Sequence, residues 1–227
     1  MLQLKITRLK NTNDARYADS LTLAAVLMLF TMVLHPMGGS IEHIQKISTM
    51  IMVTHALAIL SLPFWLLGFW GLTRRLEDDS LLSLAAFCLM SVGLFAVLIA
   101  ATLNGLALPL FVNHYPEATP ETISAIKPIA AYNTSLNHAF DLVYSGASCL
   151  AVLLWSIAIL RTRRLPVPLG WLGILLSVVA MIPLTGFFFT GLTGLRIFLT
   201  GFVIWTLFII IVLRKRSPAL PGHASED

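Results

Sequence analysis

The segment Leu81–Leu103 reads LLSLAAFCLMSVGLFAVLIAATL and contains no charged residue. A helix needs about 20 apolar residues to cross the hydrocarbon core of a bilayer. These 23 residues are therefore enough for one crossing. The segment therefore predicts a transmembrane helix and indicates a membrane protein.

Apolar runs of similar character lie on both sides of this segment. The chain is 57% apolar and 11% charged, with a mean hydropathy of +0.86, whereas soluble domains are about 45–50% apolar and about 25% charged. This excludes a soluble enzyme, a disordered chain and a disulfide scaffold. The sequence predicts a single all-α, polytopic membrane domain over 1–216, followed by a disordered tail over 217–227. The predicted helices are about 20–35, 50–72, 81–103, 137–160, 169–189 and 193–213.

The basic residues predict the orientation of six helices. If the helices alternate in direction, 12 of the 15 Lys and Arg residues fall on one side. They lie before the first helix and after the second, fourth and sixth helices. Positive charge is enriched on the cytoplasmic side of membrane proteins, so we expect both termini in the cytoplasm. The longest outside connection is then Val112–Leu136, in which Thr119-Pro120-Glu121 could open a short surface helix.

Two further classes of chemistry have no support in the sequence. Cys88 and Cys149 lie inside apolar runs, and no CxxC or CxxCH occurs, which argues against thiol redox chemistry and covalent haem attachment. The basic residues are not interleaved with aromatic residues in a patch, so we expect no nucleic-acid partner. The expected partners are the lipid bilayer and, beyond it, a small molecule or another membrane protein.

Four helices carry an ionisable residue at a similar predicted depth. At 1.5 Å per residue, His35, His55 and Arg196 lie about 27–28 Å from the basic residues at the other ends of their helices. Asp141 lies about 30 Å from Arg161. Ionisable groups inside a membrane are costly and usually functional, but this layer also coincides with the outer interface. It therefore fits either one shared site or ordinary interfacial residues.

The fourth helix has the most ordered polar face. His138, Asp141 and Ser145 are spaced by three and four residues, which places them on one side of a helix. This face fits a cavity wall or a proton path, or hydrogen bonding between helices. Asp141 is expected to form an ion pair with Arg196, although Arg196 could instead reach the outer headgroups. The candidate cavity-lining residues are His35, His55, Asn104, His138, Asp141, Ser145 and Arg196.

A metal or haem offers an alternative role for the histidines. His55 and His138, at similar predicted depths, could ligate a transition metal or haem b. No HExxH motif and no pair of histidines four residues apart supports this site. The sequence identifies no catalytic residue and no particular cofactor.

One stretch resembles a known group of proteins. From His138 the sequence reads HAFDLVYSGASCLAVLLWSIAILRTRRLPVPLGWLGILL. The Arg-x-Arg-Arg-Leu-Pro run and the following Leu-Gly-Trp-Leu-Gly resemble segments of an uncharacterised bacterial family of multi-spanning membrane proteins, a domain of unknown function. The resemblance covers the second half of the chain. It implies a multi-pass protein of the bacterial inner membrane and no particular activity.

Three classes of function follow from these observations. The first is small-molecule binding or proton-coupled transport at a polar cavity that opens to the outer face. The second is a metal- or haem-binding redox protein or enzyme that uses His55 and His138. The third is a non-catalytic assembly or partner subunit, in which the polar layer holds helices together.

Overall fold

A computed structural model describes residues 2–36, 39–115, 119–182 and 192–215. Helices account for nearly all of these residues. A 3₁₀ turn at Glu77–Asp79 precedes α4, and a π-helical turn at Leu103–Ala107 joins α4 to α5 without a break. The α-helices are α1 Leu2–Leu34, α2 Ile41–Lys46, α3 Ser48–Arg75, α4 Ser80–Thr102, α5 Leu108–Asn113, α6 Pro120–Thr162, α7 Val167–Met181 and α8 Leu192–Arg214.

Within the described residues, five helical stretches are long and apolar enough to cross a membrane. The all-helical fold and these stretches together indicate a multi-pass membrane protein. The predicted fifth helix, 169–189, corresponds to α7, which is apolar but has only 15 residues. The remainder of that prediction runs into residues 183–191, outside the described part of the chain, as does the predicted tail. The five stretches are Asn13–Leu34, Ser48–Arg75, Leu81–Asn113, Pro120–Thr162 and Arg196–Arg214.

The largest difference from the predicted boundaries is at α6. Thr119 caps this helix by accepting a hydrogen bond from the backbone N–H of Thr122, and Pro120 occupies the first turn. The helix then continues through Pro128, so much of the segment predicted as an outside loop is helical. Its 43 residues make it about 64 Å long, roughly twice the thickness of the hydrocarbon core. Part of α6 therefore extends beyond the membrane.

The six longer helices form a ring in chain order. Each of α1, α3, α4, α6, α7 and α8 contacts the next, and α8 closes the ring against α1. Small residues allow close approach in places: a Cβ at Gly68 or Gly71 of α3 would overlap Leu21 or Tyr17 of α1. Membrane helices commonly associate through such small residues.

Aromatic side chains fill the interior of the ring. Trp65, Trp155 and Trp205, from α3, α6 and α8, are almost completely buried. Phe69 stacks between Trp65 and Trp155, with ring centroids 5.4 and 4.9 Å away. The indole N–H of Trp155 donates to the Thr73 hydroxyl at 3.2 Å. Trp205 stacks on Trp155 in turn, with ring centroids 6.3 Å apart, so the stack joins three helices of the ring.

The antiparallel helices give the bundle two distinct ends. At one end, three ion pairs join residues more than 50 positions apart in the sequence. They are Arg75–Asp14 and Arg161–Asp79, each at 3.2 Å, and Arg214–Asp19 at 2.6 Å. We call this the basic end. At the opposite end α1 finishes while α3 and α8 begin, and this end carries His35, His55 and Arg196. We call it the histidine end.

Candidate functional site

The centre of the histidine end is a contact between two imidazole rings. Pro36 disfavours helical geometry at His35, and α1 ends at Leu34. His35 is thus placed just beyond the helix, partly buried, opposite the start of α3. There its ring lies against that of His55, which is buried, with the centroids 5.0 Å apart and the planes tilted by 58°.

The hydrogen bonds of the two histidines define their tautomers. Nδ1 of His55 lies 2.8 Å from the carbonyl oxygen of Ile51, and Nδ1 of His35 lies 2.9 Å from that of Pro36. A carbonyl oxygen only accepts, so each Nδ1 must carry the proton. In the neutral rings both Nε2 atoms then keep a lone pair. The site therefore holds two imidazole nitrogens that can accept a proton.

The π-helical turn between α4 and α5 forms another wall of the site. A Cβ at Gly105, within this turn, would overlap the ring of His55, so only glycine allows the backbone to approach so closely. The adjacent Asn104 accepts a hydrogen bond from the side-chain amide of Asn133 on α6 at 3.1 Å. Isolated π turns inside α-helices frequently occur at functional sites.

Arg196 of α8 places a positive charge beside the histidines. Its Nη2 atom donates to the backbone carbonyl of His35 at 3.3 Å. Its Nε atom is buried and has no hydrogen-bond partner among the residues that the structure describes. Arg196 also lies at one end of a groove between α1 and α8 with a volume of about 230 Å³. The groove is lined by Met28, Leu29, Met32, Val33, Arg196, Leu199, Thr200 and Val203.

The remaining candidates lie along α6. Asp141 accepts a hydrogen bond from the side-chain amide of Asn137 at 3.0 Å and interacts electrostatically with His138. His138 is exposed, whereas Ser145 is buried. Further along the same helix, the hydroxyl of Ser148 contacts the sulfur of Met90 on α4 at 3.8 Å. The polar face predicted for this helix therefore divides into an exposed part and a part that contacts α4.

The expected ion pair between Asp141 and Arg196 is not among the ion pairs formed within the described ranges. The reason is the order of the helices around the ring. Arg196 faces α1 and bonds to His35, while α6 packs mainly against α4 and α7. Residues at the same depth need not meet, because each helix has its own rotation about its axis.

The structure pairs His55 with His35, whereas the sequence suggested His55 and His138 as the ligands of a metal or haem. The contacts that the structure gives to His55 are with His35, Ile51 and Gly105. The described part of the chain contains no group of three or more His, Cys, Asp or Glu side chains arranged to hold a metal ion. The fold thus brings together His35, His55 and Arg196, with Asn104 beside them in the π turn.

Two features of the site were missed from the sequence although a signal existed for each. Asn133, Asn137 and Asp141 follow one another at intervals of four, which extends the polar face of the fourth predicted helix by about one turn. Gly105 interrupts an apolar run directly after Asn104, and such a glycine often marks a close approach of the backbone to another group. The apolar groove beside Arg196 left no comparable signal.

The fold and the site define a class: an all-helical, multi-pass membrane protein with a histidine–arginine site at one end of the bundle. The chain matches no protein-family model, no curated protein and no solved structure. Its function must therefore be inferred from the site itself.

Proposed function

We propose that the protein crosses the bacterial inner membrane six times with both termini in the cytoplasm, and binds a molecule that carries an anionic group at the histidine end, which faces outward. The distribution of basic residues supports this orientation. The apolar helix α7 supports a sixth crossing. The resemblance noted for the second half of the chain supports the bacterial assignment.

The observation that carries the binding proposal is the incomplete hydrogen bonding of Arg196. A guanidinium has five N–H donors and can hold a carboxylate or phosphate through two parallel bonds. Within the described residues, Arg196 makes one hydrogen bond, and its buried Nε makes none. A buried donor without a partner is costly, and an anion held by this guanidinium would remove the cost.

The surroundings of Arg196 favour an anion over a cation. The Asp141 carboxylate accepts a hydrogen bond from Asn137 on α6 and forms no ion pair with Arg196. A guanidinium beside His35 also opposes the binding of a metal ion to the two histidines.

The two histidines link anion binding to protons. Their Nε2 atoms hold lone pairs, because both Nδ1 atoms donate to backbone carbonyls. An anion bound at Arg196 would offset the positive charge of the guanidinium beside His35 and so favour protonation of the His35 ring. Binding is therefore expected to take up protons, as a protein that moves or senses an anion together with protons would require.

A thermal-shift experiment tests the anion site. Inorganic phosphate and acetate, added to detergent-purified protein at constant ionic strength, are expected to raise the Tm of the wild type. Arg196→Gln should abolish the shift, and Arg196→Lys should retain part of it. Arg214→Gln, on the same helix but at the basic end, is the matched control. Equal shifts in wild type and Arg196→Gln would overturn the proposal.

Cysteine labelling tests the orientation. The native cysteines Cys88 and Cys149 are first replaced by alanine, and a single cysteine is then introduced as Glu42→Cys at the histidine end or Glu77→Cys at the basic end. A membrane-impermeant maleimide added to intact cells should label only the first variant. Labelling of only the second would reverse the proposed orientation, and labelling of both would contradict the assignment of the two ends to opposite sides.

A further inference from the structure

The groove beside Arg196 bears on the chemical nature of the ligand. Resting on the proposed function, we propose that the ligand is an anionic phospholipid of the outer leaflet. Its phosphate binds Arg196, and one acyl chain lies in the groove between α1 and α8.

The groove has the composition and direction that an acyl chain requires. Apart from Arg196 and Thr200, its lining side chains are apolar. It extends from Arg196 to Val203 along α8, a distance of about 10 Å into the membrane. Its volume of about 230 Å³ exceeds that of an apolar cavity of about 150 Å³ that accommodates benzene. A section of one acyl chain therefore fits.

The exposure of its walls shows from which side the groove is reached. Leu29 and Val33 line the groove and are 48% and 80% exposed on the outer surface of α1. Ile197, next to Arg196, is 68% exposed. In a bilayer these side chains contact lipid, so the groove opens sideways to the hydrocarbon phase. This favours a ligand that arrives within the membrane over one that arrives from water.

The charge at the end of the groove specifies the headgroup. Arg196 lies near the start of α8, about 27 Å from Arg214 and thus near the outer headgroups. Among the described residues that line the groove there is no Asp or Glu, so none of them offers a carboxylate to the ammonium group of a zwitterionic lipid. A net negative headgroup such as that of phosphatidylglycerol complements the single guanidinium.

Native mass spectrometry after reconstitution tests this assignment. The protein is reconstituted into vesicles of equal parts phosphatidylglycerol and phosphatidylcholine, and the retained lipid is identified. Wild type should retain one phosphatidylglycerol. Arg196→Gln and the groove-filling Val33→Phe should each reduce retention roughly tenfold. The matched controls are Arg214→Gln at the basic end and Val92→Phe, at an exposed apolar position of α4; both should retain lipid as the wild type does.

The outcomes separate this inference from the proposed function. If phosphate stabilises the protein through Arg196 but no variant changes lipid retention, the lipid assignment is overturned while the anion site stands. If neither phosphate nor phosphatidylglycerol distinguishes Arg196→Gln from wild type, both are overturned. Arg196→Lys guards against a folding defect: it keeps the charge and should retain part of the lipid, and loss of lipid in this variant despite native helicity would contradict the charge-based assignment.

Discussion

The two ends of the bundle use their arginines differently. At the basic end Arg75, Arg161 and Arg214 each contact a carboxylate from another part of the chain. At the histidine end Arg196 contacts a backbone carbonyl, and its buried Nε has no partner within the described residues.

This comparison distinguishes arginines that stabilise the fold through ion pairs from an arginine whose charge is available to bind a ligand. A guanidinium paired with a carboxylate has its charge compensated within the fold, so it holds helices together and has little need of another anion. A guanidinium bonded to one neutral carbonyl keeps its charge uncompensated and several donors free. Substitutions that break the ion pairs of the basic end are thus expected to change stability, and substitution of Arg196 at the histidine end is expected to change binding. The substitutions below test this division, beginning with the largest expected effect.

The strongest perturbation of the histidine end changes no charge. Gly105→Val places a side chain against the ring of His55 and should lower the free energy of unfolding by about 2–3 kcal/mol, because the close-packed site must deform. Urea unfolding followed by tryptophan fluorescence measures the loss. Gly146→Ala is the control: a Cβ there meets no atom within 4 Å, and alanine should stabilise the helix by about 0.5–1 kcal/mol. Equal effects of the two substitutions would contradict the packing of the π turn on His55.

Loss of a partly buried ion pair should be the largest effect at the basic end. In the Arg75–Asp14 pair the side chains are only 19% and 15% exposed. Asp14→Ala should destabilise the protein by about 2 kcal/mol, because it removes the carboxylate that compensates the charge of a largely buried guanidinium. The measurement is the same unfolding titration, with phosphate binding recorded in parallel. Loss of phosphate binding with unchanged stability would reverse the roles assigned to the two ends.

The contact between Asn104 and Asn133 should contribute less. Hydrogen bonds between membrane helices average about 0.6 kcal/mol, so Asn133→Ala should have an effect of about that size in the same titration. Ser135→Ala is the control, since the Ser135 hydroxyl is exposed and donates to the carbonyl of Ala131 on its own helix. A loss of unfolding free energy as large as that of Asp14→Ala would contradict this estimate and show that the contact between the π turn and α6 is a major source of stability.

The smallest effect is expected for the Arg74–Glu77 pair, which lies on the surface of the basic end. Its side chains are 58% and 49% exposed, and such pairs contribute about 0.5 kcal/mol or less. Glu77→Ala should therefore change the unfolding free energy very little, and added salt should remove even that difference. A larger loss of unfolding free energy that persists in added salt would mean that the exposure of an ion pair at this end does not predict its contribution to stability.

Some of this architecture followed from the sequence because it depends on local composition. The uncharged run Leu81–Leu103 predicts a membrane-crossing helix from its own residues, since the free energy of placing a segment in hydrocarbon is largely a sum over its side chains. The capping signal at Thr119–Pro120 was also visible. That α6 continues from there through Pro128 was not, because a single proline can end a helix or be tolerated within it.

The site depended on the tertiary structure. The layer of His35, His55 and Arg196 was predicted from the depth of each residue along its helix. Which of them meet depends on the rotation of each helix and on its neighbours in the ring, and both are set by packing between distant segments such as Tyr17 against Gly71. For this reason the sequence predicted Arg196 and Asp141 in one layer. In the fold, Arg196 instead donates a hydrogen bond to the carbonyl of His35, and Asp141 accepts one from Asn137.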